Sequence, residues 1–295
     1  MEAELALEHA ARSDPGRVRA QNEDSWGRRA ATGGSARARG VVFAIADGLG
    51  GHAGGAIASA EAVEALLEHY TSPFAPARPE LALRDAMRRA HGRVLQRALS
   101  HPELNGMQTT LTALALAGRH AYIAHVGDGR VYHVRGRDLQ LLTSDHSEAA
   151  ELLRRGLITP AQARRHPGRH VLTRALGAGL PPRPDFTRLP LQEGDIFVLC
   201  TDGLWGAVED EEIRRVVLEH SPAEACARLV ALANARGGED NITVQIVHVG
   251  RIVPPQADTG RGRLAGLLAR MILGGLGAAQ QCQAETPSGV PGSMP

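Results

Sequence analysis

Long stretches of this chain alternate between apolar runs of strand length and apolar stripes of helical spacing, and the boundaries between them are sharp. Residues 41–46 (VVFAIA) form a continuous apolar run, which reads as a strand buried on both faces. In 56–70 (AIASAEAVEALLEHY), Ile57, Val63, Leu66, Leu67 and Tyr70 recur on one side of a helix, and 79–99 repeats the pattern with Leu83, Met87, Val94 and Leu95. Four short runs follow, TLTALALA, HAYIAHVG, RVYHVRG and LQLLTS, separated by GRH, GDGR and GRD. The turn-like separators predict an antiparallel meander. Residues 146–176 are polar and rich in Arg, with turns at TPAQ and HPGR, and read as an insertion over the surface. A strand over 195–201, helices near 209–219 and 222–236, and a strand over 242–249 complete the pattern. No helix–strand alternation is long enough for a doubly wound parallel sheet, so the fold class expected is α+β, with antiparallel sheets covered by paired helices.

The ends of three apolar runs share one feature. Residues 45–51 (IADGLGG) end a run on Asp47, and 196–206 (IFVLCTDGLWG) end another on Asp202, each followed by Gly. Asp240 opens a third run in GGEDNITVQIVHV. A single Asp-Gly is ordinary turn chemistry, because Asp tolerates unusual backbone angles and Gly takes positive φ freely. Three separated strand ends carrying an acid call for a common cause.

Composition narrows the possibilities. The chain has 295 residues, 43% hydrophobic and 22% charged, as in ordinary globular proteins. Aromatics are only 3%, so Ala, Val, Leu and Ile must build the core. A net charge of +1 leaves no electrostatic footprint for nucleic acid. All 33 basic residues are Arg. The lack of Lys excludes a Walker-type phosphate loop and a kinase-type ATP site, both of which need one. Cys200, Cys226 and Cys282 form no CxxC pair and no disulfide framework, which makes a reducing cytoplasm the expected location. None has an Arg at the sixth following position, so a thiolate phosphate loop is absent too. The acidic N-terminus lacks an apolar run and reads as no secretory signal. The most apolar stretch, 264–279, is interrupted by Arg270 and is too short to span a membrane.

If the three strand ends meet, Asp47, Asp202 and Asp240 place three carboxylates together. Like charges raise one another's cost of ionising, and a divalent cation removes that cost. All-oxygen ligation points to hard ions, Mg²⁺ or Mn²⁺. Gly48 lets its backbone carbonyl approach an ion with no side chain in the way. Upstream, Glu23 and Asp24 follow Arg19 in VRAQNEDS, and downstream Asp128 lies in the turn HVGDGR. Two ions about 3.5–4 Å apart can bridge a water, lower its pKa and clamp a phosphoryl oxygen. Arg19 can hold a phosphate by a bidentate contact. The chemistry that follows is phosphoester hydrolysis.

The ordered segments RAQNEDS, ADGLGGHAGG, MQTTLTAL, AHVGDGRVYHV, LTSDHS, LTRALG, LCTDGLW and EDNITVQIV resemble the metal-dependent protein phosphatase (protein phosphatase 2C) family in its bacterial form, over roughly residues 12–249. The resemblance implies an α-β-β-α sandwich of two antiparallel sheets with a metal centre in the cleft between them. It implies hydrolysis of phosphoserine and phosphothreonine in proteins, with Mn²⁺ or Mg²⁺, by a hydroxide shared between two core ions. By position, Asp47 bridges those ions and Gly48 gives its carbonyl. Asp202 and Asp240 complete the first ion, Asp128 with Asp202 holds a third, and Glu23 and Asp24 contact ions or their waters. Arg19 binds substrate phosphate, Asn241 supports the shell, and 146–176 is the flap beside the site. The partners implied are phosphorylated proteins and a Ser/Thr kinase whose work the enzyme reverses.

Two positions depart from the family pattern. Leu49 stands where some members place a His that acts as general acid, and neither His52 nor His146 is a strong replacement on sequence grounds. Gly129 replaces the usual Ser of the GDSR turn, which leaves Asp128 intact. Two other readings compete: a phosphatase fold that binds partners without turnover, and hydrolysis of a small phosphoester instead of a phosphoprotein. The presence of Asp47, Asp202 and Asp240 disfavours the first. Residues 1–11 are expected to be an N-terminal extension, 12–250 the phosphatase domain, and 251–295 a poorly ordered appendage in which 262–276 has a weak amphipathic pattern broken by Gly.

Overall fold

Alternate residues of each long apolar run are buried in different layers. The computed structural model of the protein describes residues 4–32, 38–49, 53–177 and 179–253. In β3 (Val41–Leu49), Phe43 and Ile45 join one apolar cluster while Val42, Ala44 and Ala46 join another. A strand's side chains point to opposite faces in turn, so a run that is apolar throughout must be covered on both sides.

Two antiparallel sheets provide that cover. The first has the order β1 (Glu4–Asp14), β11 (Ile242–Val253), β10 (Ile196–Cys200), β7 (Arg130–Arg135), β8 (Asp138–Leu141). The second runs β2 (Asp24–Ala30), β3, β5 (Leu111–Ala117), β6 (His120–Val126), β9 (Asp185–Pro190), with the short β4 (Gln108–Thr109) beside β3. Phe43, Leu114 and Ile123 of the second sheet meet Val131, Phe197 and Val247 of the first in a shared inner layer. Each such side chain contributes roughly 1.5–3 kcal/mol by leaving water. Outside the second sheet lie α1 (Ala53–Thr71) and α2 (Pro79–Ser100), packed through Ala58, Ala62, Ala82, Ala86 and Ala90. Outside the first lie α6 (Asp210–Glu219) and α7 (Pro222–Ala235), with Ile213, Val217, Leu229 and Val230 against Val198 and Val244. The architecture is the expected α-β-β-α sandwich. With so few aromatics, alanine-lined helix faces let the layers close tightly. Among the described residues no helix is long and apolar enough to cross a membrane.

Helix N-termini carry the caps their sequences advertise. Ser221 and Glu224 form a capping box at α7, and Thr159 with Gln162 forms one at α4 (Pro160–Ala163). Together with α3 (Glu148–Arg154), capped by Ser147, α4 belongs to the 146–176 segment, whose base is tied by a bridge between Ser147 and Leu172.

Three expectations need correction. Residues 4–11 are not an extension outside the domain: Glu4–Asp14 is β1, paired with β11 along its length, with Leu5 and Leu7 packed on the inner layer. Its polar alternate residues hid it, as befits an edge strand with one solvated face. The four-run meander is split. β5 pairs with β6 and β7 with β8, but the GDGR turn between them carries the chain from one sheet to the other. The last strand also continues past residue 250, to Val253. Residues 254–295, including 262–276, lie outside the described residues, as does His52.

Candidate metal centre

The turn that switches sheets is also where the acids gather. Asp24, the first residue of β2, pairs in register with Asp47 in β3. Asp202 opens the short helix α5 (Asp202–Trp205) directly after β10, and Asp240 precedes β11, the neighbour of β10. Asp128 lies in the turn from β6 to β7. The charges of Asp24, Asp202, Asp128 and Asp240 all act on Asp47 and raise its cost of ionising.

Backbone contacts aim these side chains. The Asp47 N–H donates to Thr110 Oγ1 at 2.8 Å, while the Asp47 carbonyl accepts from Thr110 N at 2.9 Å and Thr109 Oγ1 at 2.8 Å. The Asp47 carbonyl is thereby occupied and the carboxylate left to face the cleft. Gly48 donates its N–H to the Glu23 carbonyl at 3.2 Å. A Cβ at Gly48 would lie 2.1 Å from the Gly55 carbonyl oxygen, and one at Gly55 would lie 2.3 Å from Glu23 Oε2. Both glycines are therefore required for the close approach of β3, α1 and the Glu23 carboxylate. Asn241 fastens the loop that carries Arg19 and Glu23: its Oδ1 accepts from Glu23 N at 2.8 Å, and its Nδ2 donates to the Pro15 and Gln21 carbonyls at 3.0 and 2.9 Å. Thr201 Oγ1 donates to Asp24 Oδ2 at 2.8 Å. At the crossover turn, Trp205 Nε1 donates to the Asp128 carbonyl at 2.9 Å, and Arg130, stacked 3.7 Å over the Trp205 ring, forks onto Asp145.

The electrostatics favour a cation. Asp24 Oδ1 and Asp202 Oδ1 are buried without a hydrogen-bond partner. A buried carboxylate oxygen without a donor is costly, and the donor set here is oxygen-rich and anionic, which fits Mg²⁺ or Mn²⁺. Burial pushes the Asp24 carboxyl up to about 7, aided by the charges of Asp202 and Asp240 and opposed by hydrogen bonds from Thr243 and Thr201. Burial likewise raises Asp47 and Asp128 well above the usual carboxylate range, with repulsion from the neighbouring acids adding to it. Asp24 and Asp47 keep part of their surface open at the cleft even though protein surrounds their carboxyls on most sides. Arg19 Nη2 lies 2.8 Å from Asp240 Oδ2, and its guanidinium is held more firmly charged by Asp240 first, then by Asp47 and Asp202.

These shifts set a pH dependence of stability. The folded Asp24 keeps its proton up to about pH 7, whereas the unfolded chain releases it near the ordinary value of 3.8. Between those values the folded state binds more protons, so stability is lost as pH rises. Asp47 and Asp128 act in the same direction. The lowered carboxyls of Asp14, Asp185 and Asp195 act only below the ordinary carboxylate range, where stability is lost as pH falls. The lowered imidazoles of His9, His91, His120, His125 and His146 oppose the acids below the ordinary histidine value of 6.5. Protons held by the acid cluster compete with an ion for the same oxygens, so saturating Mn²⁺ should raise the melting temperature more at pH 8 than at pH 5. A Mn²⁺ gain that is equal or smaller at pH 8 would contradict the buried cluster.

Asp24, Asp47, Asp128, Asp202 and Asp240 come together, with Arg19 on Asp240, while Glu23 lies beside Gly48 and Gly55 on the loop that Asn241 holds. His146 does not serve there. It is fully buried, its Nδ1 accepting from Gly127 N at 3.1 Å and its Nε2 lying 3.1 Å from Asp185 Oδ2. Sequence reasoning gave no role to Thr109, Thr110, Thr201, Gly55 or His170. Thr109, Thr110, Thr201 and Gly55 stand within segments that carry the family resemblance, which was the available signal. His170, whose Nδ1 is 3.1 Å from Asp202 Oδ2, has no such signal.

Two antiparallel sheets between helices, with acids gathered beside the turn that crosses from one sheet to the other, define an α-β-β-α sandwich with a site suited to divalent cations. A profile of the protein phosphatase 2C family matches residues 17–240. Serine/threonine protein phosphatase PstP of Mycobacterium tuberculosis is 40% identical over 246 residues, which are 83% of this chain and 45% of PstP. The chain thus spans about half the length of that relative. Serine/threonine phosphatase stp of Listeria welshimeri is 36% identical over 240 residues, 80% of this chain and 93% of its own. The catalytic domain of PstP, crystallised with two manganese ions, superposes with a TM-score of 0.72 at 35% identity, over 84% of this chain and 100% of that one. The chain belongs to the protein phosphatase 2C family.

Proposed function

We propose that this chain is a metal-dependent phosphatase of phosphoserine and phosphothreonine in proteins, opposing a Ser/Thr kinase of the same bacterial cell. The observation that carries the reading is the cleft of converging carboxylates with unpartnered oxygens and an arginine at its rim. Asp47, the Gly48 carbonyl, Asp202 and Asp240 would hold two Mn²⁺ or Mg²⁺ ions, and Glu23 and Asp24 would hold ions or their waters. Asp128 and Asp202 would hold a third. When bound, such ions supply a water made acidic enough to attack and neutralise charge on the phosphoryl oxygens.

The chain's own residues do the rest. Arg19 is 56% exposed and tied at one end to Asp240, so its remaining N–H groups are placed to receive phosphate oxygens in a fork. Asn241 keeps Arg19 and Glu23 at one distance from β11. Leu49 offers no proton, and His146 is consumed in the core, so neither protonates the seryl or threonyl oxygen as it leaves. The names of the PstP and stp relatives support a phosphoprotein substrate.

The test is phosphate release from a phosphothreonine peptide in Mn²⁺, for wild type and Arg19→Ala. A charge-assisted contact is worth about 1.5–3 kcal/mol, so the variant should lose about ten- to a hundredfold in kcat/KM. Its Mn²⁺ affinity should be retained, and Arg19→Lys should recover only part of the loss. Unchanged kcat/KM in Arg19→Ala would remove Arg19 from phosphate binding.

A further inference from the structure

The edge strands β8 and β9, one from each sheet, border a cavity of about 520 Å³, with His125 of β6 and Arg84 of α2 also in its wall. Small-molecule sites are of this size. None of the residues lining it belongs to the acid cluster, and Arg19 is not among them.

The deepest polar group in the wall is His125, 1% exposed. Burial, with help from His146, pushes its imidazole down to about 3, so the ring is neutral and keeps one donor and one acceptor. Nδ1 is bonded to Thr112 Oγ1 at 2.9 Å. Nε2 is buried and makes no hydrogen bond, although the Gly127 and Ser144 carbonyls lie near the ring. A buried ring nitrogen without a partner is costly, and the polar edge of a heterocycle would satisfy it.

Three further groups restrict what fits. Arg84 lies 3.8 Å over the Phe186 ring and reaches Glu80 Oε1 only at 3.3 and 3.4 Å, through Nη2 and Nε. Its Nη1 donates to nothing among the described residues, so the guanidinium is open to an anion. Asp185 holds Arg174 on Oδ1 at 2.9 Å and His146 on Oδ2 at 3.1 Å. A carboxylate oxygen accepts two hydrogen bonds, so each keeps one position for a hydroxyl. Ile123, Leu142 and Phe186 supply apolar faces. A bare phosphate would use Arg84 and ignore the rest. An aromatic acid would use Arg84 and His125 but set Asp185 against an apolar ring. A base, a sugar and a phosphate together use every group.

We propose that this cavity binds a nucleoside monophosphate, its base on His125 Nε2, its ribose hydroxyls on Asp185 and its phosphate on Arg84. The site is separate from the metal cleft but adjoins the frame that carries the flap. The rings of His125 and His146 are 4.8 Å apart between centroids. His146 in turn accepts from Gly127 N in the crossover turn and, through its carbonyl, from Thr173 N at the base of the flap. A ligand on His125 thus abuts the link between turn and flap, and the Gly127 and Thr173 amides report on it.

The experiment adds AMP, adenosine or inorganic phosphate to the full chain stripped of metal, with chelator present so that no cation draws phosphate to the acids. Nuclear magnetic resonance follows the His125 ring nitrogens and the amides of Gly127, Thr173, Phe186 and Thr187. Wild type is compared with Arg84→Ala and with Leu141→Trp, which fills the cavity from the edge strand, each checked for fold by circular dichroism. AMP should move all these signals, adenosine should move them at least tenfold more weakly, and phosphate should move none. Arg84→Ala should weaken AMP about ten- to a hundredfold and leave adenosine unchanged, since a charge-assisted contact is lost. Leu141→Trp should abolish both. Millimolar AMP that leaves the His125 nitrogens of folded wild type unmoved would overturn the proposal. So would AMP that binds no tighter than adenosine or phosphate, or that both variants bind as wild type does. Because no metal is present, each of these outcomes leaves the phosphatase reading standing.

Discussion

Asp47→Asn should abolish turnover without unfolding the protein. Asp47 pairs with Asp24 in the strand register, and its carboxyl is acted on by four other acids. On the proposed reading this loses a charge that would hold the ions and removes several kcal/mol of transition-state stabilisation, and about 4 kcal/mol corresponds to a thousandfold in rate. The metal-free protein should respond in the opposite way. Burial and repulsion already raise the Asp47 carboxyl well above the usual range, and a neutral amide of the same shape removes the one group in the cluster on which four neighbouring acids act. At pH 8 the metal-free variant should therefore melt no lower than metal-free wild type, while losing the stabilisation that Mn²⁺ gives wild type. Phosphatase assays and melting curves with and without Mn²⁺ decide it. Appreciable turnover, or a large fall in metal-free stability, would show that Asp47 is a structural acid.

Asn241→Ala should damage both stability and activity. One amide satisfies three backbone groups, the Pro15 and Gln21 carbonyls and the Glu23 N–H, from a buried position at the start of β11. Orphaning them should cost roughly 2–4 kcal/mol. For a domain of this size that lowers the melting temperature by about 5–10 °C. Below that temperature the 15–23 loop should no longer hold Arg19 and Glu23 against the cleft, so kcat/KM should fall even where the protein is fully folded. Asn241→Asp keeps the acceptor for Glu23 but loses both donors and adds a charge beside Asp240, and should rescue little. A variant with wild-type melting temperature and wild-type kcat/KM would dissociate Asn241 from the site.

What the sequence made legible follows from where the determining forces act. Asp47 and Asp202 were visible because an acid at the end of a two-face-buried strand is locally anomalous, whatever the rest of the chain does. The helices α1, α2, α6 and α7 were visible because their stripes are long. β1 was not, because it is half-solvated and gains its order from β11, more than 200 residues away. The passage between sheets at Gly127–Arg130 looked like a hairpin turn. Gly127 adopts φ +113° there, and a Cβ would stand 2.5 Å from the Thr110 side chain, a constraint of tertiary packing that no local pattern records. Thr201 reaches Asp24 and Thr110 reaches Asp47 across 177 and 63 positions of sequence, so their roles depend on contacts between distant strands. His170 lies in an Arg-rich segment without periodicity, and only the folded turn shows what it faces.

The most direct test of the metal-dependent phosphatase account is phosphate release from a phosphothreonine peptide by the wild-type chain, first stripped by a chelator and then titrated with Mn²⁺. The account predicts no release from the stripped protein and full recovery as Mn²⁺ is restored, with melting temperature rising in parallel. Release that is indifferent to the chelator, or folded and Mn²⁺-loaded protein that releases no phosphate, would contradict it.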